Sequence, residues 1–125
     1  MKSKAKGDMA VGRAIAHYIS QQCEVLLPIG DKQKYDLVVD CGQSFQKVQC
    51  KFTSHKAKSG AFIAPLRVMG GNQSYHTAKH YNKEDFDILF VMTEDGDIFT
   101  IPFEDIETKN SVTLSGKYEQ YRVIT

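Results

Sequence analysis

The 125-residue chain has no apolar run approaching the ~18 residues that a membrane-spanning helix requires. Its longest, Ile88-Leu89-Phe90-Val91-Met92, is the size of a strand, so no membrane-spanning helix is expected within the chain. The basic start, Met1-Lys2-Ser3-Lys4-Ala5-Lys6-Gly7-Asp8, runs into a stretch broken by Gly12, Arg13 and His17, so no secretory signal is expected. Cysteine is scarce as well. Cys23, Cys41 and Cys50 form no CxxC pair, and the odd count argues against a disulfide framework and for a reducing, cytoplasmic setting. Internal repeats and low-complexity tracts are absent. A hydrophobic content of 42% beside 25% charged residues excludes a disordered, collagenous or coiled-coil chain. The length fits a single domain over 1–125 with a core that needs no metal or disulfide.

The net charge of +1 conceals an asymmetry. Residues 1–58 carry ten Lys and Arg against five Asp and Glu, whereas residues 59–125 carry six against ten. A basic half within so small a domain suits an anionic partner, nucleic acid included, although a mixed surface gives the same count.

Asp8 has the chemistry of an N-cap for a helix from Met9 to about Gln22, with Val11, Ile15, Tyr18, Ile19 and Gln22 as its stripe. Short strands are expected at Cys23–Leu27, Tyr35–Asp40 and Phe45–Thr53, joined by tight turns into an antiparallel meander. Ala61–Met69 reads as a further strand, and Asn72–Lys83 as a loop or a short helix around Tyr75–His80. Phe86–Thr93 and Ile98–Phe103 flank Glu94-Asp95-Gly96-Asp97 and form the clearest hairpin, with Asp-Gly suiting a type I′ turn. The unalternating Ile88–Met92 run fits a strand covered on both faces. A helical turn from Glu104 and a strand at Val112–Leu114 follow. The fold class is α+β, with the first helix on a mixed or antiparallel sheet.

Chemistry concentrates in two segments. Alternation on the strand Lys47-Val48-Gln49-Cys50-Lys51 puts Gln49 and Lys51 on one face and Val48, Cys50 and Phe52 on the other. Asp36, at the mouth of the preceding strand, can converge with them if the register allows. Such a spot suits a hard divalent cation such as Mg²⁺ or Mn²⁺. Its oxygen ligands would be the Asp36 carboxylate, the Gln49 amide and the Cys50 backbone carbonyl. The ion would polarise a phosphodiester while Lys51 orients water or offsets developing charge. Gln49 supplies one negative charge fewer than Glu, so weak metal affinity is expected.

The order helix, strand, Asp-bearing strand, (D/E/Q)xK strand resembles the PD-(D/E)xK nuclease superfamily. Lys6-Gly7-Asp8, Leu27-Pro28, Lys34-Tyr35-Asp36-Leu37-Val38-Val39-Asp40 and Val48-Gln49-Cys50-Lys51-Phe52-Thr53 are similar to one branch of it, the small homing endonucleases of group I introns and their bacterial, phage and archaeal relatives. Tyr81-Asn82-Lys83-Glu84-Asp85-Phe86-Asp87 and Ile101-Pro102 extend the likeness over nearly the whole chain. The resemblance implies a restriction-endonuclease-like core with the active site on the meander. Asp36 becomes the metal-binding acid, Gln49 the second ligand and Lys51 the catalytic lysine. Members often carry a Glu on the first helix; here Val11 and Gly12 stand at that turn, leaving Asp8 either to fill the role or to cap the helix. The implied activity is Mg²⁺- or Mn²⁺-dependent hydrolysis of DNA by a homodimer or homotetramer. Alternatives are a Holliday-junction resolvase-like enzyme and a nuclease-fold protein that binds DNA without cutting it.

Lys56, Lys58, Arg67, Lys79 and His80 are expected on the DNA backbone, where most protein–DNA hydrogen bonds fall. Lys34, Thr53 and His55, in or beside the matched segments, are expected to contact DNA too. His76 and His80 could supply half a zinc site, but no third ligand accompanies them. Asn72-Gln73-Ser74 is read as a chance sequon and Gly70-Gly71 as turn chemistry. Tyr75, Tyr81, Tyr118 and Tyr121 suit a subunit interface or nucleotide stacking.

Overall fold

In the computed structural model, which describes residues 1–68 and 79–124, helix α1 spans Ser3–Ser20. It starts well ahead of Met9. Lys2 holds the cap position without a side-chain bond, and Asp8 lies inside the helix, 3.1 Å from Lys4 Nζ. The capping role read for Asp8 is therefore corrected: Lys4, Ala5 and Lys6 are good helix formers, and Lys4 and Asp8 stand one turn apart on one face. The buried stripe also shifts. Ala10, Ala14 and Tyr18 face the sheet, whereas Ile19 is 58% exposed. Small side chains bring the helix close to the strands, and Val11 and Ile15 flank the contact half-buried.

Strands follow as β1 (Glu24–Leu26), β2 (Leu37–Asp40), β3 (Phe45–Thr53), β4 (Ile63–Pro65), β5 (Arg67–Val68), β6 (Lys79–His80), β7 (Ile88–Thr93), β8 (Ile98–Pro102) and β9 (Ser111–Thr113). The main sheet has the order β1-β2-β3-β7-β8. It is mixed, because β3 and β7 run parallel between two antiparallel pairs. The expected meander is β1-β2-β3. Strand β7 is covered on both faces, as its unbroken hydrophobicity predicts.

The sheet separates two cores. On one face α1 packs over Leu37, Val39, Val48, Cys50 and Phe90. On the other, Leu89, Val91, Phe99 and Ile101 pack with Phe62, Phe86, Val112 and Tyr118.

Other expectations change in detail. The single strand over Ala61–Met69 is two, because the chain changes partner at Leu66: β4 pairs with β9 and β5 with β6, while the Leu66 N–H donates to Asn110 O. Lys79 and His80 are extended rather than helical. Gly70-Gly71, Asn72–Ser74, Tyr75 and His76 lie outside the described residues. At the β7–β8 hairpin only Gly96 has a positive φ, +89°, so the turn is not type I′, which requires that geometry at both central residues. Gly96 N–H bonds back to Thr93 O instead, giving a turn over 93–96 with its glycine in the left-handed region.

The expectation of unpaired cysteines is overturned: Cys23 and Cys41 are bonded. Helix α1 ends in a Schellman turn, with Gln22 at φ +66° and Cys23 N–H donating to Tyr18 O. That turn delivers Cys23 to the rung beyond the Glu24–Asp40 pair, directly opposite Cys41. An odd count leaves one cysteine over but says nothing of whether two others meet. Cys50 is free and buried.

Candidate active site

Leu37 and Val39 turn toward the α1 core, so alternation sends Asp36 to the opposite face. Val48 and Cys50 of β3 likewise face α1, and Gln49 and Lys51 share the face of Asp36. Register completes the convergence: Leu37 lies across from Val48, which sets Asp36 across from Gln49.

The strands part at this point. Asp36 N–H donates to Val48 O at 2.8 Å, so the Val48 backbone faces β2. Backbone groups alternate between neighbours along a strand, so those of Cys50 face the same way, past the end of the ladder. Asp36 Oδ2 takes up the Cys50 N–H at 2.7 Å. The Cys50 carbonyl has the Gln49 amide nitrogen 3.4 Å away. One carboxylate, one side-chain amide and one backbone carbonyl thus come together on β3. A carboxylate, a side-chain amide and a backbone carbonyl can offer the hard oxygen donors that divalent cations take. Among the described residues no three His, Cys, Asp or Glu side chains gather.

Lys51 lies between Asp36 and an aromatic face. Its Nζ is 5.4 Å from the centre of the Tyr81 ring. Burial pushes the Asp36 pKa up, against the opposing pull of the Cys50 N–H and the Lys51 charge. Burial lowers the Lys51 pKa, with Asp36 acting the other way. Tyr81 is pushed up to about 12, first by burial and then by Asp36 and Asp85. Three neighbouring, partly desolvated groups are perturbed together, as those of functional sites often are.

Tyr81 was assigned from sequence to an interface or a nucleotide, and only the tertiary fold puts it over Lys51. Tyr118 is corrected, being 7% exposed in the second core with its hydroxyl accepting the Glu107 N–H, while the half-buried Tyr121 donates to Asp105 at the edge of that core. Asp8 is taken up by Lys4, and α1 packs on the face opposite Gln49 and Lys51, so no helix contribution from Asp8 is formed. Asp40, at the far end of β2, accepts the Gly42 N–H.

The expected DNA contacts divide. His55, Lys56 and Lys58 are exposed on a narrow hairpin closed by the Lys56–Phe62 bridge and the Ala57 N–H to Ala61 O bond. Thr53 is corrected: it is 3% exposed and its hydroxyl donates to Ile63 O, so it fastens β3 to that hairpin and is closed to DNA. Lys34 Nζ lies 3.7 Å from Asp85. His80 is exposed with Nε2 2.8 Å from Asn110 Oδ1, and Arg67 and Lys79 occupy the β5–β6 ribbon that includes it.

A mixed sheet backed by one helix, with an acid entering β2 and Gln-x-Lys on β3, defines a restriction-endonuclease-like nuclease fold. A family model described as PD-(D/E)XK endonuclease matches residues 1–122, and the chain belongs to that family. Its structure is similar to that of a bacterial homing endonuclease, I-Ssp6803I, at 26% sequence identity and a TM-score of 0.84, over 98% of this chain and 89% of that one. No curated protein matches the sequence. The family and the fold read from the sequence both hold. Among the described residues no helix is long and apolar enough to cross a membrane.

Proposed function

We propose that this nuclease is a divalent-metal-dependent DNA endonuclease of the homing type. The observation that carries the reading is the meeting of Asp36, Gln49, the Cys50 carbonyl and Lys51 on one face, where β2 leaves β3. Likeness to a homing endonuclease over nearly the full length supports it. Asp36, Gln49 and the Cys50 carbonyl would hold the ion, with the Gln49 amide turned to present its oxygen. When bound, Mg²⁺ or Mn²⁺ supplies polarisation of the phosphodiester and relief of charge on the leaving oxygen. Lys51 orients the attacking water and offsets the negative charge that grows on the scissile phosphate. Asp36 also fixes the Cys50 N–H, which ties the loop entering β2 to the strand that carries Gln49 and Lys51.

Lys56 and Lys58, with the β5–β6 ribbon, would track the DNA backbone on either side of the cut. One chain holds one such site, and cutting both strands of a duplex calls for two, so a symmetric homodimer or homotetramer is the working assembly. Incubation with supercoiled, linear and branched DNA in Mg²⁺, Mn²⁺ or EDTA tests the reading, with Lys51→Ala purified alongside. Metal-dependent cutting absent from Lys51→Ala is expected, and preferential cutting of branched DNA would identify a junction resolvase instead. The competing reading, DNA binding without cleavage, draws on Asp36 being the single carboxylate in the candidate ligand set. Salt-sensitive binding with no cutting in any metal would favour it.

A further inference from the structure

The negative charge that acts on the Lys51 ammonium is that of Asp36. Gln49, two residues before it, carries no charge. One oxygen of Asp36 is already committed to the Cys50 N–H. What faces the ammonium is the Tyr81 ring, at a distance within the ~6 Å reach of a cation–π contact.

The ring is fixed without help from Lys51. It stands edge-on to Phe86 with centroids 5.1 Å apart, and Phe86 stands edge-on to Phe103 at 5.2 Å. The turn that follows is closed by reciprocal bonds, Asn82 N–H to Asp85 Oδ2 at 2.8 Å and Asp85 N–H to Asn82 O at 3.0 Å, and by Glu84 N–H to Asn82 Oδ1 at 3.0 Å. Asp85 also pairs with Lys34, across the chain that leads into Asp36. Tyr81 is therefore a rigid wall, and the flexible four-carbon stem of Lys51 is the part that needs one.

We propose that Tyr81 is a positioning residue for DNA cleavage, its ring face holding the Lys51 ammonium in the place where a charged residue at position 49 would otherwise do so. The inference rests on the nuclease reading above and deepens it. It carries a further consequence: restoring the charge with Gln49→Glu makes Tyr81 less necessary.

The test is cleavage of plasmid DNA in Mg²⁺ by Tyr81→Phe, Tyr81→trifluorophenylalanine and Tyr81→Leu. Fluorination drains the ring face of negative potential while keeping its shape, so the pair of phenylalanine variants stays informative if Tyr81→Leu fails to fold. Tyr81→Phe should cut within about twofold of wild type, and the fluorinated ring and Leu about tenfold more slowly, with half-saturating DNA changed by less than about twofold. In a Gln49→Glu background the loss on fluorination should shrink to about threefold or less. A second readout needs neither DNA nor metal. The Lys51 ε-methylene resonance, assigned with Lys51→Arg, should lie upfield over the ring in wild type and Tyr81→Phe and return to the ordinary lysine position in Tyr81→Leu. Equal cutting by the phenylalanine and fluorinated forms, or an unshifted methylene, overturns the role of Tyr81 and leaves the nuclease reading intact. A wild-type protein that cuts in no metal overturns both.

Discussion

Asp36 closes the open backbone of the strand that carries Gln49 and Lys51, its Oδ2 accepting the Cys50 N–H at 2.7 Å. The same carboxylate is held partly out of water, with its pKa raised above the usual 3.8. The net upward shift already includes the attraction of Lys51, so burial outweighs its partners.

Asp36→Asn is expected to stabilise the metal-free protein while abolishing cleavage. A folded-state pKa above the unfolded one means that the stability from this group is full below the unfolded value and is lost as pH rises through the folded value. At neutral pH the wild type therefore bears a desolvated charge that Asn lacks, while the Asn oxygen still receives the Cys50 N–H. The gain, reduced by solvent screening, is about 2–4 °C in thermal midpoint at pH 7 in EDTA. It should close as pH falls below about 4, where Asp36 becomes protonated in both states. A variant that melts below wild type at pH 7 would contradict the assignment.

Gln49→Glu adds a charge to the candidate ligand set. Half-saturating Mn²⁺, measured by calorimetry without DNA, should fall roughly tenfold, since charge count tunes affinity at such sites. Unchanged affinity removes Gln49 from the set.

Replacing both Lys56 and Lys58 by Ala should leave the thermal midpoint within about 1 °C, because both are exposed. DNA affinity should fall, and the slope of log K against log salt should flatten by about 2, one phosphate per lysine. An unaltered slope takes the 54–60 hairpin off the DNA.

Reducing the Cys23–Cys41 bond, which closes 18 residues of chain, should cost about 3 kcal/mol. Urea unfolding with and without reductant measures it, with Cys41→Ser as the matched control. Identical midpoints would show that the two thiols are not joined.

Gln22→Gly should stabilise the protein by about 1 kcal/mol, because Gln22 occupies the left-handed position of the α1 terminus at φ +66°. Denaturant unfolding reads this directly, and destabilisation would mean that the Gln22 side chain contributes contacts that outweigh the backbone strain.

The placement of Asp36, Gln49 and Lys51 on one face was legible because strand alternation is a strict rule and the strand lengths constrain the register. The burial of β7 on both faces was legible in Ile88–Met92 from its lack of polar alternation. Features set by two distant segments were not. The Cys23–Cys41 bond depends on the β1–β2 register, which no cysteine count contains. Thr53 carries a hydroxyl that suits DNA or a carbonyl equally, and only the return of Ile63 decides between them. Asp8 can cap or pair, and the helix-forming Lys4-Ala5-Lys6 ahead of it selects pairing. Tyr81 joins the site only through the tertiary fold, which sets its ring beside Lys51, 30 residues earlier in the chain.

The ribbon offers a last point. Arg67 and His80 pair across its base, so the chain departs and returns at one place, with Tyr81 the first residue beyond. Doubling the length of such an excursion costs only about 0.6 kcal/mol in closure entropy. A change in the length of chain between Arg67 and His80 therefore costs little in closure, and the pairing of these two residues still fixes where Tyr81 begins.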